Sequence, residues 1–320
     1  LILKHKGVLN MNKLTKIGLT ALASTLVAGS VSAADLSVTG GASITFGGGD
    51  DNKTTGNGWS MGDSVTFSAS GDVNDIGVTL SLEMDGAENT GGLDDHSITF
   101  DLGDAGTLVF AGHGGSSALS AIDDKMPAAY EEPWAVVTGA SAAVVNGDAE
   151  NNMFKYTYAH ESGLTVALAY HNAAAATSVE SYNDFSLVYT GVDGLEVGYG
   201  AGTVHDTAVE SDESTMYATY AMGGLTVGVQ SSEFDPESGT TERDTTGLGI
   251  SYQVNDDLSV SYGQHTTEYN SGDDQEAAAI GIAYTMGSMS ISGSYHSVDN
   301  IANTSTNDRT GYEVSVSFAF

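Results

Sequence analysis

The sequence predicts an all-β fold, a transmembrane antiparallel β-barrel of sixteen strands. Three observations carry that prediction. Large apolar residues recur at every second position, a hairpin-length unit repeats about every 31 residues, and the connections alternate between very short and long.

The repeated unit begins Gly163-Leu164-Thr165-Val166 and returns at Gly194, Gly224, Asp257 and Ser288, each time with a large apolar residue at its second and fourth positions. Such a period holds two strands of about ten residues, one tight turn and one longer loop. Strands read from alternation, with breaks at Gly, Asn and Asp clusters, fall at 35–46, 63–70, 77–85, 96–103, 106–112, 152–160, 163–172 and 182–190. The second half gives 194–201, 213–222, 224–232, 244–254, 257–268, 275–286, 288–298 and 309–320. The count is even, as a single-chain barrel with both termini on one side requires. Glu161-Ser162, Gly223, Asn255-Asp256 and Gly287 make tight connections, whereas those between them are longer and acidic.

One face of the five repeated strands carries Leu164, Val166, Leu168 and Tyr170, then Leu195, Val197 and Tyr199, and so on through Tyr295. The other face is Gly, Ala, Ser and Thr with an occasional His, Gln or Glu. A soluble sandwich alternates in the same way with its apolar face inward. The tyrosines favour the barrel: Tyr170, Tyr199, Tyr262 and Tyr295 stand late in outward strands, and Tyr158, Tyr189, Tyr220, Tyr252 and Tyr284 late in returning ones. Antiparallel neighbours turn these into two aromatic belts, one at each headgroup level.

Ahead of the strands, Met11 to Lys16 carries two lysines and opens into the apolar stretch Ile17 to Gly29, closed by Val31-Ser32-Ala33. This is the layout of a secretory signal peptide at 11–33, with 1–10 an upstream leader and 34–320 the mature barrel. Removing residues 1–33 leaves five basic residues against 42 acidic ones, a net charge of about −37. That surplus excludes nucleic acid as a partner and favours cations. Cysteine is absent, so neither disulfides nor thiolate chemistry are available.

The break at 112–151 is the longest in the pattern. Just before it, the hairpin Ser97-Ile98-Thr99-Phe100-Asp101-Leu102-Gly103-Asp104-Ala105-Gly106-Thr107-Leu108-Val109-Phe110-Ala111-Gly112 resembles one of general bacterial porins, particularly alphaproteobacterial ones. The last strand, alternating through Tyr312, Val314, Val316 and Phe318 to a final Phe320, resembles the signal by which the barrel-assembly machinery recognises its clients. The resemblance implies a homotrimeric outer-membrane channel for passive diffusion of small hydrophilic solutes, with no cofactor, the subunits meeting near the first five strands and the last, where Gly40, Ala42 and Ala111 suit close packing. It also implies a third loop folded into the lumen, whose carboxylates face a basic cluster on the wall. Here the loop offers Asp123, Asp124, Glu131, Glu132, Asp148 and Glu150.

The chain departs from that family on the basic side. The first four strands hold no Lys or Arg; Lys155 points inward by phase, as do the acids Glu83, Asp85, Glu196 and Glu313. This balance predicts cation selectivity. Adjacent acids such as Asp123-Asp124 are candidates for weak Ca²⁺ or Mg²⁺ binding, and divalent ions could bridge the acidic surface to lipopolysaccharide. His113-Gly114-Gly115 and His205-Asp206 have no nucleophile in context, which counts against catalysis. The competing readings are a barrel enzyme, protease or phospholipase, and a surface adhesin.

Overall fold

A computed structural model of the chain describes residues 35–50, 57–86, 93–141, 151–172, 181–204, 210–237 and 242–320. Sixteen strands form one closed antiparallel barrel in which each strand pairs with its sequence neighbours and the last returns to the first. The strands are β1 Asp35–Gly49, β2 Trp59–Val73, β3 Ile76–Asp85, β4 His96–Asp101, β5 Thr107–His113, β6 Met153–Ala159, β7 Leu164–His171 and β8 Tyr182–Val192. They continue as β9 Leu195–Val204, β10 Ser211–Met222, β11 Leu225–Pro236, β12 Arg243–Gln253, β13 Leu258–Tyr269, β14 Gln275–Met286, β15 Met289–Asp299 and β16 Arg309–Ala319. Leader and signal segment lie outside the described residues.

The tight turns follow from residues that accept a positive φ. Asn74 and Asp75, at φ 52° and 66°, close the β2–β3 hairpin in the way a two-residue turn demands. Closure is completed by β1 against β16, from Gly41 opposite Ala319 to Gly49 opposite Gly311. Two backbone bonds extend it by one residue, Gly40 N–H to Phe320 O at 2.7 Å and Phe320 N–H to Gly40 O at 2.9 Å. No strand edge is left open, the condition for a sheet to stand in lipid.

Burial is inverted relative to a soluble protein. Among the described residues forty large apolar side chains are exposed, nearly all on the outward phase of the strands, among them Ile44, Trp59, Met61, Leu168, Met216, Leu248 and Ile280. Moving each from water to acyl chains contributes roughly 1.5–3 kcal/mol, so the sandwich reading fails and the lipid-facing one stands. Three small buried clusters exist among the described residues, built around Leu119 and Ile122, Trp134 and Val137, and Ala118 and Met153. Each contains residues from the β5–β6 connection, so the buried core lies inside the barrel where that segment meets the wall.

Two expectations need correction. Several strands are longer than the alternation implied: β2 runs Trp59–Val73 rather than 63–70, and β11 reaches Pro236 rather than stopping at 232, because the ladder continues into polar outward positions such as Glu233 and Asp235. Tyr199 and Tyr262 are mid-strand, and Tyr189 and Tyr252 lie opposite Val197 and Val260, each two residues from the supposed upper belt. The two rows of tyrosine are closer together than expected. Ala111 faces inward, 7 % exposed and paired with Met153 of β6, so it cannot serve a subunit interface; Gly40 and Ala42 take the outward phase.

Candidate functional site

From His113 the chain enters the lumen and is fastened along the inner face of β8 to β16. The first fixing point is Asp184 on β8. Its carboxylate accepts the N–H groups of Ala118 at 3.1 Å and Leu119 at 2.6 Å, and the Tyr182 hydroxyl at 3.1 Å. A carboxylate only 5 % exposed is tolerable because three donors replace its water. On β11, Gln230 donates Nε2–H to the carbonyls of Ile122 and Asp123 at 2.9 and 2.8 Å, while its Oε1 accepts Lys125 N–H at 2.8 Å.

Further along, Ser261 of β13 accepts Ala129 N–H at 2.8 Å, and the Tyr130 hydroxyl donates to Glu313 of β16 at 2.6 Å. Burial, then the hydrogen bond and charge of Glu313, push the Tyr130 phenol above its ordinary range. His296 of β15 reaches the Pro133 carbonyl at 3.1 Å, and the Trp134 ring lies 4.2 Å from that of His265. Arg309 Nη1 donates to Thr138 O at 3.1 Å. Gln275 of β14 holds both backbone groups of Ser141, accepting its N–H at 2.8 Å and donating to its carbonyl at 3.2 Å. Every one of these fastenings lies in the β8–β16 sector.

Half a ring away from β10 and β11 stand β2 and β3. Register places Glu83 opposite Thr66 and Asp85 opposite Ser64, all on the inward phase, as the sequence predicts. Between Ser37 of β1 and Thr107 of β5, the inward positions of this sector are mostly Ser, Thr and Gly. Lys155 of β6 also points inward: it shares a lateral row with Val109, Ala169 and Asp184, so this lysine, the one on a strand among the described residues, faces the neighbourhood of the loop's first anchor. Arg243 lies over the Phe234 ring, 4.7 Å from its centroid.

The loop acids are only partly gathered. Asp123, Asp124 and Glu132 come together; burial pushes the Asp123 carboxyl up to about 6. Asp124 is pushed to about 7, first by burial, then by the charge of Glu132 and a hydrogen bond to it, then by Asp123. Glu131 stands near enough to act on the Tyr130 phenol. Asp148 and Glu150 lie outside the described residues, as do His205 and Asp206. Among the described residues no three His, Cys, Asp or Glu side chains converge as a metal site.

Sequence reading did not single out the anchors Asp184, Gln230, Gln275 and His296. A signal was present: each is a hydrogen-bonding polar side chain on the inward phase of its strand, where Gly, Ala, Ser and Thr are frequent.

The model of the Gram-negative porin family matches residues 18–283 and 240–320. No curated protein matches. Among solved structures, the barrel is similar to an anion-selective porin from Comamonas acidovorans, with 15% identity, TM-score 0.63 and coverage of 90% of this chain and 100% of that one. It is also similar to OmpT of Vibrio cholerae, with 14% identity, TM-score 0.67 and coverage of 91% and 99%. A variant of the Rh. blastica porin gives 15% identity, TM-score 0.64 and coverage of 89% and 100%.

Proposed function

The chain belongs to the Gram-negative porin family, channels integral to the outer membrane that carry out no reaction, and on that premise we propose a cation-selective pore for passive diffusion of small hydrophilic solutes. The loop between β5 and β6 sets its aperture. One observation carries the selectivity: the inward charges of wall and loop are overwhelmingly carboxylates. Glu83, Asp85, Glu196, Glu213 and Glu313 on the wall join Asp123, Asp124, Glu131 and Glu132 of the loop. Against them stand Lys125, Lys155, Arg243 and Arg309, the last two engaged by Phe234 and Thr138. Low-dielectric walls around a narrow lumen focus such a field, so cations are concentrated and anions excluded.

The anion selectivity named for the Comamonas porin belongs to that protein. At 15% identity a shared barrel does not fix the signs of lumen side chains.

The assembly we propose is a homotrimer joined through the outer faces of β1 to β5 and β16. Trp59 and Met61 on β2 are among the most exposed apolar residues, at 59% and 70%, and the outward positions of β1 to β5 carry no tyrosine. Phe320, 75% exposed, would be read by the barrel-assembly machinery, and outer acidic loops would meet lipopolysaccharide through Ca²⁺ or Mg²⁺. Weak divalent binding at Asp123 and Asp124 belongs to the same reading.

Liposome swelling tests the function. Proteoliposomes should admit small amines faster than neutral sugars of equal size, and carboxylated sugars slowest. Equal rates for amines and carboxylates would refute the selectivity, and no swelling at all would refute the channel.

A further inference from the structure

Three inward glycines stand directly opposite one another on successive strands: Gly228 of β11 faces Gly249 of β12, which faces Gly263 of β13. Glycine in a strand interior gives up packing and backbone entropy, so three in one lateral row need a reason. The reason is the loop. A Cβ at Gly249 would lie 2.8 Å from Pro127 Cδ, 2.9 Å from its N and 3.0 Å from its O. At Gly228 it would meet Pro127 Cδ at 2.6 Å, and at Gly263 Pro133 Cγ at 3.0 Å. The loop's two prolines therefore rest on bare backbone. The row continues through Ala279 to His296, whose ring bonds the Pro133 carbonyl, so the loop tracks this row round the wall.

We propose that the row Gly228, Gly249 and Gly263 is the seat that fixes how far the loop projects into the lumen, which makes these three positions determinants of the solute size limit. This rests on the reading that the loop sets the aperture. A methyl at Gly249 can be accommodated only by moving Pro127 away from the wall, toward the open lumen, because two of the three atoms it meets there are backbone. The effect should rank with the atoms met: greatest at Gly249, which meets loop backbone, less at Gly228, and least at Gly263, where the loop offers only the far edge of the Pro133 ring.

The test is planar-bilayer conductance and sugar exclusion on the full chain carrying Gly249→Ala, Gly228→Ala or Gly263→Ala. Gly41→Ala on β1 is the control, since a Cβ there meets only Phe318 O at 3.5 Å. Gly249→Ala should lower single-channel conductance to roughly two-thirds or less, with the largest admitted sugars lost first, while Gly41→Ala stays near the unsubstituted value. Wild-type conductance and exclusion for Gly249→Ala in a folded, heat-modifiable protein would overturn the seat. Should Gly249→Ala not fold, Gly263→Ala decides: a smaller drop supports the seat, none refutes it. Failure of the unsubstituted protein to conduct would instead refute the channel reading.

Discussion

Gln230 and Asp123 are joined side chain to backbone, the amide nitrogen of one donating to the carbonyl of the other at 2.8 Å, and the same amide turns its oxygen to Lys125 N–H. One side chain thus satisfies backbone groups on both sides of the loop's acidic corner. Gln230→Leu keeps the volume and removes every bond. Leaving buried backbone groups unpaired costs about 1–3 kcal/mol, borne by loop docking while the barrel stays closed. Open-channel current noise should rise and the loop become sensitive to protease, with barrel melting almost unchanged. An unaltered noise spectrum would argue against the clamp.

Asp123 and Asp124 make the pore's charge depend on pH. Both carboxyls titrate above the ordinary carboxylate range, at about 6 and about 7. The sign follows directly. Below their unfolded values both are neutral and the seated loop is most favoured; as pH rises through 6 and 7 ionisation works against burial, and that stabilisation is lost. Charge moves the other way. Lowering pH from about 8 to about 5 should weaken cation preference as protons are taken up. Asp124→Asn should flatten the upper part of that profile, read from reversal potentials at each pH.

Lys155 opposes the carboxylates from the wall. Replacing it with Gln removes a positive charge from the lumen and should shift the reversal potential toward stronger cation preference, while conductance at high salt changes little because screening shortens the field. An unchanged reversal potential would place the lysine outside the ion path.

The assembly role proposed for Phe320 is separable from folding. Its backbone closes the barrel on Gly40, but its ring is largely exposed, so Phe320→Ala retains the closing bonds. Refolding into detergent in vitro should proceed with a normal heat-modifiable shift, and the yield in outer membranes of cells should fall several-fold. Equal yields in cells would remove the residue's role as an assembly signal.

The barrel was legible in the sequence because a period of two is written residue by residue; Leu195, Val197 and Tyr199 state their phase without help from distant parts of the chain. Strand ends were not, since lipid contact stops at the headgroups while the hydrogen-bond ladder does not, and Glu233 and Asp235 extend β11 past its last outward valine. Ala111 was misplaced because a small side chain carries little phase information. In the loop the types of residue were legible but their fastenings were not. Gln230 meets Lys125 across 105 residues of chain, and nothing local to either announces the other. The proline-on-glycine contacts are equally nonlocal, joining Pro127 to two strands at once.

The most direct test of a lumen ruled by carboxylates is the zero-current potential of the purified protein in a planar bilayer under a tenfold KCl gradient at pH 8. With the dilute side as the measured compartment, a pore that passes K⁺ in preference to Cl⁻ makes that side positive, approaching about +58 mV for ideal selectivity. A negative potential there would contradict the account.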